Sequence, residues 1–219
     1  MLDTLHVYDD VEPKPAALNM AVDEALLANV ATPILRFYRW RLPSLSFGYF
    51  GRHADAISQA EGREVVRRWT GGGIVPHGED LTYSVIIPKA DPFFARSSLE
   101  IYAAVHDAIR RTLEANEIGA TLAGEAADRI SENCFANPVR ADVISGGRKV
   151  AGAAHRRSRT GLLHQGSIQR VELSGRFRAD FAQALCPEAE PRTLSQEILA
   201  SAASIAETKY ATVEWLTRR

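Results

Sequence analysis

The chain has 219 residues, 46% of them hydrophobic, and carries 26 Lys and Arg against 27 Asp and Glu. That length and apolar content can bury a sizeable core and lead us to expect one domain spanning residues 1–219. The balanced charge offers no global attraction to nucleic acid or to an anionic membrane, so neither is expected as a partner.

The N-terminal MLDTLHVYDDVEPKP has acids where a secretion signal needs bases and then an apolar run, and no segment reaches the ~18 apolar residues of a membrane span. A cytoplasmic protein is expected, and two cysteines, Cys134 and Cys186, are too few for a disulfide framework. ALNMAVDEALLANV reads as the first helix, with Asn19 as its cap, Asp23 and Glu24 early where the dipole favours acids, and Met20, Leu26 and Leu27 as anchors. After Pro33 the period changes to two: ILRFYRW, SLSFGYFG and LTYSVIIP alternate as strands. Ser97 and Glu100 form a capping box before a helix to about Asn116, striped by Ile101, Val105, Ile109 and Leu113. ADVI and RKVAGAAHR flank a turn at Ser145-Gly146-Gly147, and LLHQGSIQRVEL continues as strand. From Thr193, capped with Gln196, the chain returns to helix, with Leu194, Ile198 and Ile205 on one face. Many strands and about three helices without regular βαβ alternation predict an α+β domain.

Two stretches carry candidate chemistry. In RRWTGGGIVPHGEDLTYS, the glycines Gly71, Gly72 and Gly73 lack Cβ atoms, so a ligand can approach the main chain and its N–H donors closely. No Gly-Lys-Ser/Thr follows, which excludes a P-loop, and G-x-G-x-x-G is absent. Taken alone the run could be a tight loop; Arg67, Arg68 and His77 around it raise the prospect of a binding site. In CFANPVRADVISGGRKVAG, Cys134 has the loop neighbours Glu132, Asn133, Asn137 and Pro138 rather than those of a core strand. Cys186 follows an apolar run and reads as structural. A lysine in a strand is usually solvated, but Gly147, Ala151, Gly152, Ala153 and Ala154 leave little bulk around Lys149. Such a segment suits close ligand approach. A thiolate and an amine placed there could act as nucleophile and proton shuttle in acyl chemistry.

RRWTGGGIVPHGEDLTYS, GGRKVAGAAHRR and HQGSI, in this order and preceded by NMAVDEALL and SLSFGYF, resemble the lipoate-protein ligase, octanoyltransferase and biotin-protein ligase superfamily over roughly Leu18 to Leu199. The resemblance implies an α+β fold, a mixed and largely antiparallel sheet flanked by helices, with a medium-chain acyl group bound beside the glycine loop. The Gly-Arg-Gly-Arg signature of biotin ligases is absent. Gly78 and Glu79-Asp80 stand where lipoate ligases carry Asp and Gly-Asn, and the chain is expected to have no C-terminal accessory domain. LTYSVIIP and CFANP look most like the cysteine-dependent octanoyltransferases and the related lipoyl amidotransferases, although Gly73, as in the ligases, replaces their common Arg.

The resemblance thus implies Cys134 and Lys149 as catalytic residues, with Arg67, Arg68, Thr70, Gly71, Gly72, Gly73, His77, Gly152 and Ala153 binding substrate and no metal site. It implies an acyl carrier protein as donor and, as acceptor, a lipoyl domain of 2-oxoacid dehydrogenases or the glycine-cleavage carrier protein. No cofactor is needed for such transfer. A lipoate-protein ligase would instead use ATP and Mg in the same pocket and leave Cys134 dispensable, and a non-catalytic acyl- or carrier-binding protein would turn nothing over. Arg156, Arg157 and Arg159 could steer acidic carriers or simply be a solvated hairpin tip.

Overall fold

A computed structural model describes residues 2–124 and 138–218 of the chain. The strands are β1 (Leu5–Lys14), β2 (Ile34–Trp40), β3 (Ser44–Phe47), β4 (Glu64–Arg67), β5 (Val75–His77), β6 (Leu81–Pro88), β7 (Thr121–Leu122), β8 (Val143–Ser145), β9 (Arg148–Arg157), β10 (Gly161–Ile168) and β11 (Ala189–Arg192). The helices are α1 (Ala16–Asn29), α2 (His53–Ile57), α3 (Ser98–Ala115), α4 (Phe177–Leu185), α5 (Gln196–Ile205) and α6 (Val213–Thr217).

Eight strands form one sheet in the order β11-β1-β2-β6-β10-β9-β8-β7, and β4-β3-β5 form a small second sheet. The large sheet is antiparallel from β2 to β7 and parallel where β1 meets β2 and β11. This is the expected mixed α+β arrangement, with the three-stranded sheet as an addition. The central strands are covered on both faces, which is why nearly every residue of ILRFYRW and LTYSVIIP is buried, the polar Arg36, Thr82 and Ser84 included. Leu35, Phe37, Tyr83, Val85 and Leu162 pack toward α3 and α4, in one cluster with Ile109 and Phe181. Ile34, Tyr38, Ile86 and Leu163 pack on the opposite face with Met20, Leu26 and Tyr210.

Several local expectations hold and three need correction. The Ser97–Glu100 capping box is present in both directions, and Gly146 and Gly147, at φ 55° and 73°, make the two-residue turn between β8 and β9. Helix α1, however, starts after Pro15, whose locked φ suits the residue leading into a helix. Asn19 is therefore inside the helix and buried, its amide donating to the carbonyls of Lys14 and Arg39. Asp23 likewise sits in the helix interior and accepts a 2.8 Å ion pair from buried Arg36; tertiary pairing, not the dipole, explains it. The C-terminal helix is capped by Ser195, which accepts from the Ile198 N–H, rather than by Thr193. Cys186 is buried in the core. Among the described residues no helix is long and apolar enough to cross a membrane.

Candidate active site

The β8–β9 hairpin contains one irregularity, and that irregularity aims Lys149. Val143 pairs with Ala151, but the next residue, Ile144, pairs with Lys149, so Val150 is an extra residue on its strand. A bulge of this kind reverses the alternation beyond it. Val150 and Ala151 both enter the core behind the sheet, and Lys149 is turned to the opposite face, where it lies across Gly152. A Cβ on Gly152 would lie 2.3 Å from Lys149 Cε and 2.6 Å from its Nζ. Lys149, 3% exposed, forms a 2.8 Å ion pair with the buried Asp142. Asp142 also accepts from the Val139 N–H at 2.7 Å and from the Tyr102 hydroxyl. Burial, reinforced by the Asp142 charge, raises the Tyr102 hydroxyl far above the ordinary tyrosine value. The Ala153 N–H donates to that same hydroxyl at 3.1 Å, so it is not an open donor for a ligand.

The glycine loop is folded onto this face by Arg68. Its Nη2 donates to the carbonyls of Gly71 and Gly73 at 2.9 Å each, and its Nη1 to Ser46 Oγ at 2.7 Å. Gly72, at φ 88°, stands where a Cβ would meet Ala154 at 3.4 Å, and a Cβ on Gly48 would lie 2.0 Å from the Gly72 carbonyl oxygen. Gly48 thus lets two backbone segments touch, and Gly72 supplies the left-handed turn of the glycine loop. Thr70 Oγ1 donates to Gln165 Oε1 at 2.8 Å, and the Gln165 amide donates to Asp23 at 2.8 Å. Gln165 therefore ties the loop to the Asp23–Arg36 pair beneath it.

Between loop and sheet is a small, partly open pocket. Met20, Tyr38, Trp40 and Val75 give it apolar walls, and Gly152, Ala153 and Ala154 line one side. Trp40 stacks on His77, with centroids 4.3 Å apart and planes at 20°, and donates to Thr82 at 2.8 Å. His77 is 2.8 Å from Asp80 through Nδ1 and 2.6 Å from Ser46 through Nε2. Burial alone would raise the Asp80 carboxyl, but His77 and hydrogen bonds from Ser167 and Thr82 outweigh it and hold it at about 2.

Of the residues singled out from sequence, the structure brings Arg68, Thr70, the glycine loop, His77, Gly152 and Ala153 to the pocket and its rim, with Lys149 beside Gly152. It does not bring Arg67 there. Arg67 points away and donates to the carbonyls of Tyr49, Gly51, Leu216 and Arg218, so its expected contact with substrate has no donor left to make it. Cys134 lies outside the described residues. Sequence reading passed over Asp142, Tyr102, Asp80 and Gln165. The available signal for Asp142 was its place across a two-glycine turn from Lys149.

The lipoyl protein ligase A/B catalytic domain matches residues 15–208. The chain belongs to that family. Its relatives include proteins named octanoyltransferase LipM: that of Brevibacillus brevis is 31% identical, covering 97% of this chain and 98% of the relative. That of Oceanobacillus iheyensis is 37% identical, covering 71% of this chain and 60% of the relative. A solved lipoate-protein ligase A bound with ATP superposes with a TM-score of 0.78 at 20% identity, covering 99% of each chain. A bipartite lipoate protein ligase from Thermoplasma acidophilum gives 0.71 at 20%, covering 99% of this chain and 97% of that one. Within the lipoyl ligase A/B family, the matched region contains the loop, the pocket and Lys149.

Proposed function

We propose that this enzyme is an octanoyltransferase that moves a medium-chain acyl group from a carrier-protein thioester, through a Cys134 thioester, to the lysine of a lipoyl domain. The observation that carries the reading is the Lys149–Asp142 pair, aimed by the Val150 bulge across Gly152 at the end of an apolar pocket. An apolar slot beside a buried, carboxylate-held amine suits a fatty acyl chain whose carbonyl must react. The likeness to octanoyltransferase LipM proteins supports the same class.

In the first step the Cys134 thiolate attacks the donor thioester carbonyl, a new C–S bond forms, and the carrier thiol leaves with the proton taken from Cys134. In the second, the acceptor lysine amine attacks the acyl-cysteine, forming the amide and returning the proton to the Cys134 sulfur. Lys149, oriented by Asp142, exchanges those protons, and Tyr102 holds Asp142 in place. Because both steps exchange acyl groups already activated as thioesters, neither needs ATP. The donor is assigned as an acyl carrier protein and the acceptor as a lipoyl domain of a 2-oxoacid dehydrogenase or the glycine-cleavage carrier protein.

Incubation with octanoyl-acyl carrier protein in the absence of ATP, followed by intact mass, tests this. A hydroxylamine-labile octanoyl adduct is expected on the wild type and none on Cys134→Ser. If no adduct forms, and ATP with free lipoate modifies a lipoyl domain equally well with either protein, the transferase reading is wrong and a ligase remains.

A further inference from the structure

Arg67, which the pocket does not use, fastens two surface segments together. Its guanidinium lies over the Phe47 ring at 4.5 Å. One nitrogen, Nη1, donates to the carbonyls on either side of Phe50, those of Tyr49 and Gly51, at 2.8 Å each. The other side holds the carbonyls of Leu216 and Arg218 in and after α6. A bond from the Gly51 N–H to the Gly48 carbonyl closes the turn. Phe50 is thereby presented rigidly and is 86% exposed.

Around it, cations alternate with aromatic rings. Arg218 lies over Tyr49 at 4.2 Å and Trp215 at 5.0 Å, and Arg156 over Trp69 at 4.5 Å and Tyr49 at 4.8 Å. Neither Arg156 nor Arg218 has a carboxylate partner among the described residues. Glu24 is held by Lys209 and Tyr210, and Glu214 lies beside Trp215 and Arg218. Fixed aromatic and arginine side chains with one protruding phenylalanine are the composition of interface hot spots. The patch adjoins the pocket. The Tyr49 N–H donates to the Thr70 carbonyl at 2.8 Å, and Arg156 follows Ala154, which lines the pocket, on the same face of β9.

We infer that this Phe50–Arg156–Arg218 patch docks the protein acceptor of the acyl group, a lipoyl domain with carboxylates near its target lysine. The inference rests on the acyl-transfer reading and deepens it. A donor carrying its thioester on a long flexible arm can hold its body away from the pocket. An acceptor must bring its own surface to within one lysine side chain of the acyl carbonyl, which places it against the residues bordering the glycine loop.

The test uses full-length wild type, Phe50→Ser and Arg218→Glu. Titration of an intact lipoyl domain, which needs no turnover, is expected to give a Kd raised roughly tenfold in each variant. The ionic-strength dependence of binding should flatten in Arg218→Glu. Self-acylation from a small octanoyl thioester and the melting temperature should match wild type. A Kd within about twofold of wild type would overturn the docking assignment, as would a loss confined to the acyl-carrier-protein donor, or a wild-type dimer that Phe50→Ser dissociates. If the wild type binds the lipoyl domain with the expected variant losses but never acylates, the transfer reading fails and the docking surface stands.

Discussion

Gly152→Ala isolates the geometry on which the chemistry depends. The added methyl would sit 2.3 Å from Lys149 Cε, 2.6 Å from Nζ and 3.2 Å from Asp142 Oδ1. Lys149 is a long side chain and can yield, but it is 3% exposed and its partner Asp142 is fully buried, so yielding means leaving the 2.8 Å ion pair. The ammonium is displaced by about an ångström or more, a shift that costs on the order of 10²-fold in rate when a catalytic group is misplaced. Overpacking a filled site costs about 1–3 kcal/mol, which for a chain of this size lowers the melting temperature by roughly 2–12 °C. Single-turnover acylation measured beside thermal melting separates the two effects: a folded variant with a rate reduced about a hundredfold is expected. Gly175→Ala, where a Cβ would meet nothing within 4 Å, is the control and should change stability by less than about 0.5 kcal/mol. Gly152→Ala acylating within about threefold of wild type would refute the assignment of Lys149 to the reacting end of the pocket.

Other perturbations read separate parts of the molecule. Asp142→Asn removes the carboxylate of a fully buried ion pair and should destabilise by about 3–5 kcal/mol in denaturant titrations, with acylation lost. Burial holds His106, and likewise His155, down to about 4. The unfolded chain, with histidines near 6.5, then binds more protons than the native state, so stability is full above pH 6.5 and falls as pH drops toward 4. His106 alone should account for about 2 kcal/mol between pH 7 and pH 5, and a His106→Gln variant should flatten that dependence. Ala141 adopts φ 68°, a left-handed conformation that penalises a Cβ, so Ala141→Gly should stabilise by about 0.5–1 kcal/mol in the same titrations. Thr70→Val leaves the Gln165 carbonyl oxygen buried without its donor and should cost about 1–3 kcal/mol.

The sequence by itself determined the parts whose physics is local. Alternation in ILRFYRW and LTYSVIIP identified the central strands because side chains on a strand repeat every two residues. Ser97 with Glu100 identified a helix start because a capping box is made within four residues, and Gly146-Gly147 identified a hairpin because both turn positions need positive φ. The ordered motifs resembled those of the lipoyl ligase family, and that likeness was legible because each motif is a short contiguous stretch of chain. Tertiary structure alone decided which polar residues face one another. Asp23 and Asn19 read as helix-start residues until Arg36, from a neighbouring strand, was placed against them. Arg67 and Arg68 are adjacent in sequence and alike in chemistry, yet strand alternation sends Arg68 to the glycine loop and Arg67 to the carbonyls around Phe50 and α6. Lys149 would face the core behind the sheet on simple alternation, and one extra residue, Val150, turns it to the other face, across Gly152. A bulge leaves no mark in composition or period, because it is set by how β8 and β9 pair across the turn.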